Sequence, residues 1–287
     1  MHKFKVAGIG ELLWDMLPQG KQLGGAPCNF AYHAFHAGCQ PFVISALGLD
    51  ASGDEILERF GQIGLDKSFV QQTSDYPTGT VTVSLDASGI PGYIIHEKVA
   101  WDSIVWNSSL ETLANSVDAA CFGSLAQRNK VSRQTIFNFL NATKTDCLRV
   151  LDINLRQAFY TENIILKSLE LANILKLNDD ELPVLAELLG LHGNDDELLS
   201  QLRNRFNLKL IALTKGAKGS LLQTENEQSF MEVPKVQIAD TVGAGDSFTA
   251  VLVAGLLQNH ELKEIHETAN QVAAFVCTQN GAMPVYK

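Results

Sequence analysis

No stretch of the 287 residues approaches the roughly 18 consecutive apolar residues that a membrane-spanning helix needs. The opening segment, MHKFKVAGIGELLWDM, interrupts its apolar run with charges and a glycine turn, so it does not read as a secretory leader. Cysteine is sparse: Cys28, Cys39, Cys121, Cys147 and Cys277 are scattered, odd in number and form no Cys-x-x-Cys. That pattern argues against a disulfide framework and fits reduced thiols in a cytoplasmic protein. Positive charge is short as well, with 22 Lys+Arg against 32 Asp+Glu and a net charge of -10. Such a chain lacks the basic field that binding to nucleic acid or anionic membrane requires. Fixed-period repeats and low-complexity tracts are absent, which excludes solenoids and arrays.

Several chemical motifs are missing too. No Gly-x-x-x-x-Gly-Lys-Ser/Thr occurs, so this is not a P-loop protein. Gly8-x-Gly10 follows a strand, but Leu13 stands where a dinucleotide fingerprint needs its third glycine. His260 and Glu261 are followed by His266, which breaks the zincin spacing. His33 and His36 lie one helical turn apart without a matching Cys/His pair, and read as partly buried structural histidines. Trp14, Trp101 and Trp106 read as core or lid packing.

What remains is an ordinary globular composition, 46% hydrophobic and 19% charged. Apolar runs at 3–9, 41–46, 117–122, 147–152, 173–177 and 208–213 predict strands. Segments of helical spacing near 27–38, 52–63, 131–141, 161–171, 179–190 and 195–205 lie between them. Strands apolar along their whole length and separated by helices predict an α/β fold, with a mainly parallel central sheet covered on both faces. Residues 11–23 and 78–98 instead alternate, with Gly and Thr, and carry turn signals at Ser88–Gly89 and Pro91–Gly92. They predict a small antiparallel sheet, a candidate lid inserted in one domain spanning 1–287. After Asp240, helices are expected near 245–258 and 262–279.

The chemistry concentrates in Asp240-Thr241-Val242-Gly243-Ala244-Gly245-Asp246, which runs into the apolar SFTAVLVAGLL. Gly243 and Gly245 let the backbone approach a ligand closely. Unpaired N–H groups at the helix start, with the helix dipole behind them, make an anion site suited to phosphoryl transfer. Asp246 at its mouth is placed either to accept a proton from an attacking hydroxyl or to cap the helix. Gly24-Gly25-Ala26-Pro27-Cys28-Asn29-Phe30-Ala31 opens a second helix. Its glycines and Asn29 suit a polar ligand, and Pro27 in the first turn equally suits a plain loop-to-helix junction.

The string 240–246 is the signature of the ribokinase-like (pfkB) carbohydrate kinases, and 24–31 resembles that family's second signature in its fructokinase form. The resemblance continues through Gly10-Glu11-Leu12-Leu13-Trp14-Asp15, Gly123-Ser124-Leu125-Ala126-Gln127-Arg128 and Asp152-Ile153-Asn154-Leu155-Arg156. It implies a ribokinase-like fold and sugar binding by Asp15, Gly24, Gly25, Asn29, Arg128, Asn154 and Arg156. Surface salt bridges are the alternative for the two arginines. Asp246 is then the general base, and the backbone of Gly243, Ala244 and Gly245 forms the anion hole. Asn178 and Glu181 resemble the family's Asn-x-x-Glu, which helps hold phosphate-bound Mg²⁺ through water; a helix cap is the alternative. Because a cap at Asn178 would put Pro183 beyond the first turn, Asp179 or Asp180 is the expected cap, leaving Asn178 free. Thr214-Lys215-Gly216-Ala217-Lys218-Gly219 is similar to the family's nucleotide-phosphate turn. The resemblance assigns ATP to Asn178, Thr214, Gly216, Gly219, Asn270 and Ala274, and a K⁺-type cation to backbone oxygens near Asp240 and Val242.

The implied activity is ATP-dependent phosphorylation of a primary hydroxyl of a monosaccharide, fructose first. Ribose, ketodeoxygluconate and nucleosides are the competing substrates, and a non-catalytic sugar sensor is the competing class. Lys98 is the only Lys or Arg of the 78–98 lid segment, which argues against a phosphorylated sugar. A homodimer through the lid is also implied.

Overall fold

A computed structural model describes residues 3–17, 20–85 and 91–286. The chain runs β1 (Lys5–Ile9), β2 (Leu13–Leu17), β3 (Gly20–Gly24), α1 (Ala26–His36), β4 (Gln40–Gly48), α2 (Ala51–Ile63), β5 (Val70–Thr73), β6 (Gly79–Leu85) and β7 (Pro91–Ile95). It continues through α3 (Ser108–Ala114), β8 (Ala119–Phe122), α4 (Lys130–Ala142), β9 (Leu148–Asp152), α5 (Glu162–Leu171), β10 (Ile174–Asn178), α6 (Glu181–Leu189) and α7 (Asp195–Phe206). Last come β11 (Leu210–Thr214), β12 (Ser220–Thr224), β13 (Gln228–Met231), α8 (Ala244–Leu257) and α9 (Leu262–Cys277).

Nine strands form one sheet in the order β13-β12-β11-β10-β9-β8-β1-β4-β5. From β11 to β5 every pair is parallel, and only β12 and β13 run antiparallel. Strand periodicity explains why the runs had to be apolar throughout. Ala7, Leu151, Ile211 and Leu213 pack into one core with Phe139, Leu169, Leu185 and Leu199 of α4 to α7. Their strand neighbours Val6, Val150, Leu210 and Ala212 face the opposite core, closed by Phe30 of α1, Phe248 of α8 and Ile265 of α9. Both faces of the sheet are therefore covered.

The smaller, mainly antiparallel sheet has the order β3-β2-β6-β7. Its two hairpins, β2–β3 and β6–β7, meet along a parallel pair in which Leu13–Met16 runs beside Gly79–Thr82. Pro91 and Gly92, expected in a turn, instead begin β7, while Ser88 and Gly89 lie outside the described residues. No helix among the described residues is long and apolar enough to cross a membrane.

Candidate active site

Parallel strands put their carboxyl ends on one edge of the sheet, and open α/β sheets bind ligands there. Strands β1, β8, β9, β10 and β11 end at Ile9, Phe122, Asp152, Asn178 and Thr214. Each is followed by one of the segments singled out in the sequence.

Helices α1 and α8 start at the same edge and touch. Asn29 Nδ2 donates to Asp246 Oδ2 at 2.7 Å, which joins the two glycine-rich signatures, 217 positions apart, into one site. Gly243 has φ +80° and opens α8 without a side-chain cap; the Ala244 amide turns back to the Thr241 carbonyl at 3.3 Å, and the amides of Gly245 and Asp246 have no partner among the described residues. Asp246 lies inside the first turn and accepts from Asn29, so it is not the cap. Partial exposure toward the cleft remains to it, but surrounding protein strips away water and pushes its pKa to about 7. The charge of Asp152 pushes the same way, while the Asn29 bond and Lys176 oppose.

Lys176 is the residue that sequence reasoning missed. It lies in the otherwise apolar β10, buried, with Nζ 3.0 Å from Asp152 Oδ1. A Cβ added to Gly245 would stand 2.8 Å from that ammonium, so the charge sits directly under the Gly245 backbone. Burial works against the ammonium, but Asp152, Glu181 and Asp246 outweigh it and hold its pKa above the ordinary lysine value. Thr249 of α8 donates to the other oxygen of Asp152 at 2.9 Å, tying α8 to the sheet. The signal was a lone lysine inside NILKL, where every neighbour is apolar.

Among the residues expected to bind the sugar, Asp15 sits in β2 with its pKa raised to about 6 by burial, against the pull of Arg156. Its carboxylate leans so closely on Gly24 that a side chain there would collide with it. Gly25 has φ +111° and lies against the Glu11 carbonyl, a position only glycine fills without strain. Asn154 takes φ +43° beyond β9, and the exposed Arg156 follows it, forming no salt bridge among the described residues. Glu11 is buried, accepts from Ala26 N–H at 3.2 Å, and keeps Oε2 without a partner among the described residues.

Arg128 is engaged elsewhere. Its Nε and Nη2 donate to both oxygens of Asp102 at 2.8 and 2.9 Å, and Nη2 also reaches the His96 carbonyl at 2.6 Å. The guanidinium is stacked between the rings of Trp101 and Phe159. This is a buried pair, not the surface bridge considered from sequence, and it leaves Nη1 unpartnered among the described residues. Arg128→Ala strands the Asp102 charge and should cost about 3–5 kcal/mol of stability. Denaturant unfolding checks that figure.

Among the residues expected at the nucleotide, Asn178 is not free as predicted. Its Oδ1 accepts from the amides of both Asp180 and Glu181 at 2.9 Å, whereas the Asp180 side chain caps nothing. Because α6 begins at Glu181, Pro183 falls in the first turn, where its missing N–H costs no helical bond. The Asn178 Nδ2 donors keep no protein partner among the described residues. Glu181 accepts from Leu155 N–H at 2.9 Å and Asn178 N–H at 2.8 Å, with its pKa raised by burial against the pull of Lys176. Thr214 lies at the end of β11, and Gly216 and Gly219 turn with φ +51° and +113°. Asn270 accepts from Ser220 Oγ at 2.8 Å and keeps a buried Nδ2 without a partner among the described residues; Ala274 lies one turn further along α9. Asp240 gathers the loop before α8, accepting from Val242 N–H and Gly281 N–H at 3.1 Å each.

The pattern that describes pfkB family carbohydrate kinases matches residues 18–286. The chain belongs to that family. This kinase is similar to a fructokinase of Salmonella typhimurium, 27% identical over 297 residues that span 97% of this chain and 95% of the other. A sugar kinase of Pyrococcus horikoshii, solved in complex with ATP, is 26% identical with a TM-score of 0.83 over 97% of this chain and 94% of that one. A fructokinase of Xylella fastidiosa with bound ATP aligns with a TM-score of 0.86 at 22% identity, over 98% of this chain and 94% of that one. The fold of this kinase is accordingly ribokinase-like.

Proposed function

We propose that this kinase transfers the terminal phosphoryl group of ATP to a primary hydroxyl of fructose, with Asp246 as general base. The observation that carries the reading is the Asn29–Asp246 contact, which sets a hydroxyl-binding amide against a carboxylate of raised pKa at an uncapped helix start. Asp15, Asn29, Asn154 and Arg156, with the backbone at Gly24 and Gly25, orient the sugar. Its hydroxyl proton passes to Asp246 as the oxygen attacks. Charge on the transferring group is met by the backbone of Gly243, Ala244, Gly245 and Asp246 and by the Lys176 ammonium beneath them. Phosphoryl transfer asks for this positioning and neutralisation more than for covalent chemistry.

Thr214, Gly216, Gly219 and Asn178 line the phosphates in this reading, and Asn270 and Ala274 close around the base. Both Glu181 oxygens already accept a backbone N–H, so Mg²⁺ fits there through water, each oxygen keeping a second lone pair. The ion would neutralise phosphate charge. A K⁺-type cation belongs at the backbone oxygens near Asp240 and Val242, in the loop that the Asp240 carboxylate holds folded.

Fructose is favoured over a phosphorylated sugar by charge. With Arg128 neutralised by Asp102, Arg156 is the one arginine of the proposed sugar set left to meet a sugar phosphate, and a single exposed guanidinium is a poor match for a dianion. The test is ADP release with Mg²⁺ and K⁺ against fructose, ribose, glucose, ketodeoxygluconate, adenosine and fructose phosphate. Preference for fructose is the expected result. Turnover of another member replaces the sugar and keeps the mechanism, whereas folded, ATP-binding protein that turns over none of them makes this a sensor.

A further inference from the structure

Helix α1 carries two groups one turn apart on one face. Asn29 reaches Asp246, and His33, four positions on and only 1% exposed, is bonded through both ring nitrogens. Its Nε2 lies 2.9 Å from the Ala282 carbonyl and its Nδ1 2.6 Å from the Tyr286 hydroxyl. A carbonyl oxygen only accepts, so Nε2 carries the proton and Nδ1 accepts from the tyrosine O–H. Burial lowers the imidazole pKa to about 4, which keeps the ring neutral and this tautomer in place. Tyr32 adds a bond from its hydroxyl to the Pro284 carbonyl at 2.6 Å, and Tyr286 stacks on His36. The segment after α9 is thereby laid along α1.

The other side of that segment meets the anion hole. A Cβ on Gly243 would come within 2.7 Å of Ala282, so Ala282 packs directly on the residue whose left-handed turn opens α8. Next to it, the Gly281 amide donates to Asp240. Residues 281–282 are thus held between the sugar-binding helix and the loop that presents the α8 amides.

We propose that His33 is a positioning residue for phosphoryl transfer: by holding Ala282 against Gly243, it fixes the anion-hole amides relative to Asn29 and the sugar. The inference rests on the reading of Gly243–Asp246 as the group that stabilises transfer. Misplacing such a constellation by an ångström is enough to cost about a hundredfold in rate.

The experiment compares His33→Ala, His33→Gln and Tyr286→Phe, using the sugar that wild type turns over best and rates per folded protein. His33→Ala should lower kcat by about 10- to 100-fold while both KM values move little. His33→Gln, whose amide can still donate to the Ala282 carbonyl, should recover most of that loss, and Tyr286→Phe should show a smaller drop in kcat. A kcat within twofold of wild type in folded His33→Ala overturns the proposal, as do equal losses in the Ala and Gln variants. If His33→Ala does not fold, unchanged kcat in both other variants overturns it. Full activity of Gly243→Ala would instead remove the anion-hole reading beneath the proposal, and an inactive wild type would remove the substrate reading.

Discussion

Asp246→Asn is expected to fold, to bind nucleotide, and to lose about 10² to 10⁴ of its turnover, the usual contribution of a positioned general base. The substitution keeps volume and a hydrogen-bonding oxygen for Asn29 Nδ2, so the 2.7 Å contact between α1 and α8 survives. What disappears is a carboxylate able to take the hydroxyl proton. The loss should fall on kcat, because the interaction matters in the transition state and not in binding either substrate. Steady-state kinetics together with ATP titration of the inactive protein separate the two. A variant keeping more than half of wild-type kcat would remove Asp246 from the mechanism.

Lys176→Met is expected to lower kcat by about 10² to 10³, the range for removing one preorganised donor from an anion hole. The ammonium lies beneath Gly245 and is one of the two groups that draw the Asp246 pKa downward. Its loss therefore acts twice: charge on the transferring group is less well neutralised, and the base titrates at higher pH. Breaking the buried pair with Asp152 also destabilises the fold by about 3–5 kcal/mol, so rates must be referred to folded protein. A stability loss without a kcat loss would leave Lys176 as a structural ion pair only.

The site was legible in the sequence where chemistry is written locally. The glycines of 240–246 and 24–31 mark backbone that needs positive φ at Gly243 and Gly25, and no other residue type substitutes there cheaply. The central strands were legible because a sheet covered on both faces cannot tolerate alternation, and the smaller sheet because its strands do alternate. Long-range pairings left no local trace. Asp102, which occupies Arg128, lies 26 positions upstream of it, and Lys176 gains its meaning only from Asp152 and Gly245. Helix α3 (SSLETLA) is too short to show a period and is set by the Asn107 side chain accepting from Leu110 N–H. The edge strand β5 (VQQT) is largely polar, so no apolar run announced it. At α6 the inference from Pro183 failed because Asn178 bonds the first amides from three positions before the helix, without being its formal cap.

The central claim is that an Asp246 carboxylate held by Asn29 takes the hydroxyl proton, and the pH dependence of kcat/KM for the sugar tests it most directly. A carboxyl with its pKa raised to about 7 is the active base above that pH and is lost as pH falls through it. The profile, measured at saturating nucleotide, should therefore rise with pH through a limb near 7. Because the Asn29 bond lowers that pKa, Asn29→Ala should move the limb to higher pH. A profile flat from about pH 5 to 8, or a limb that Asn29→Ala leaves in place, would contradict the account.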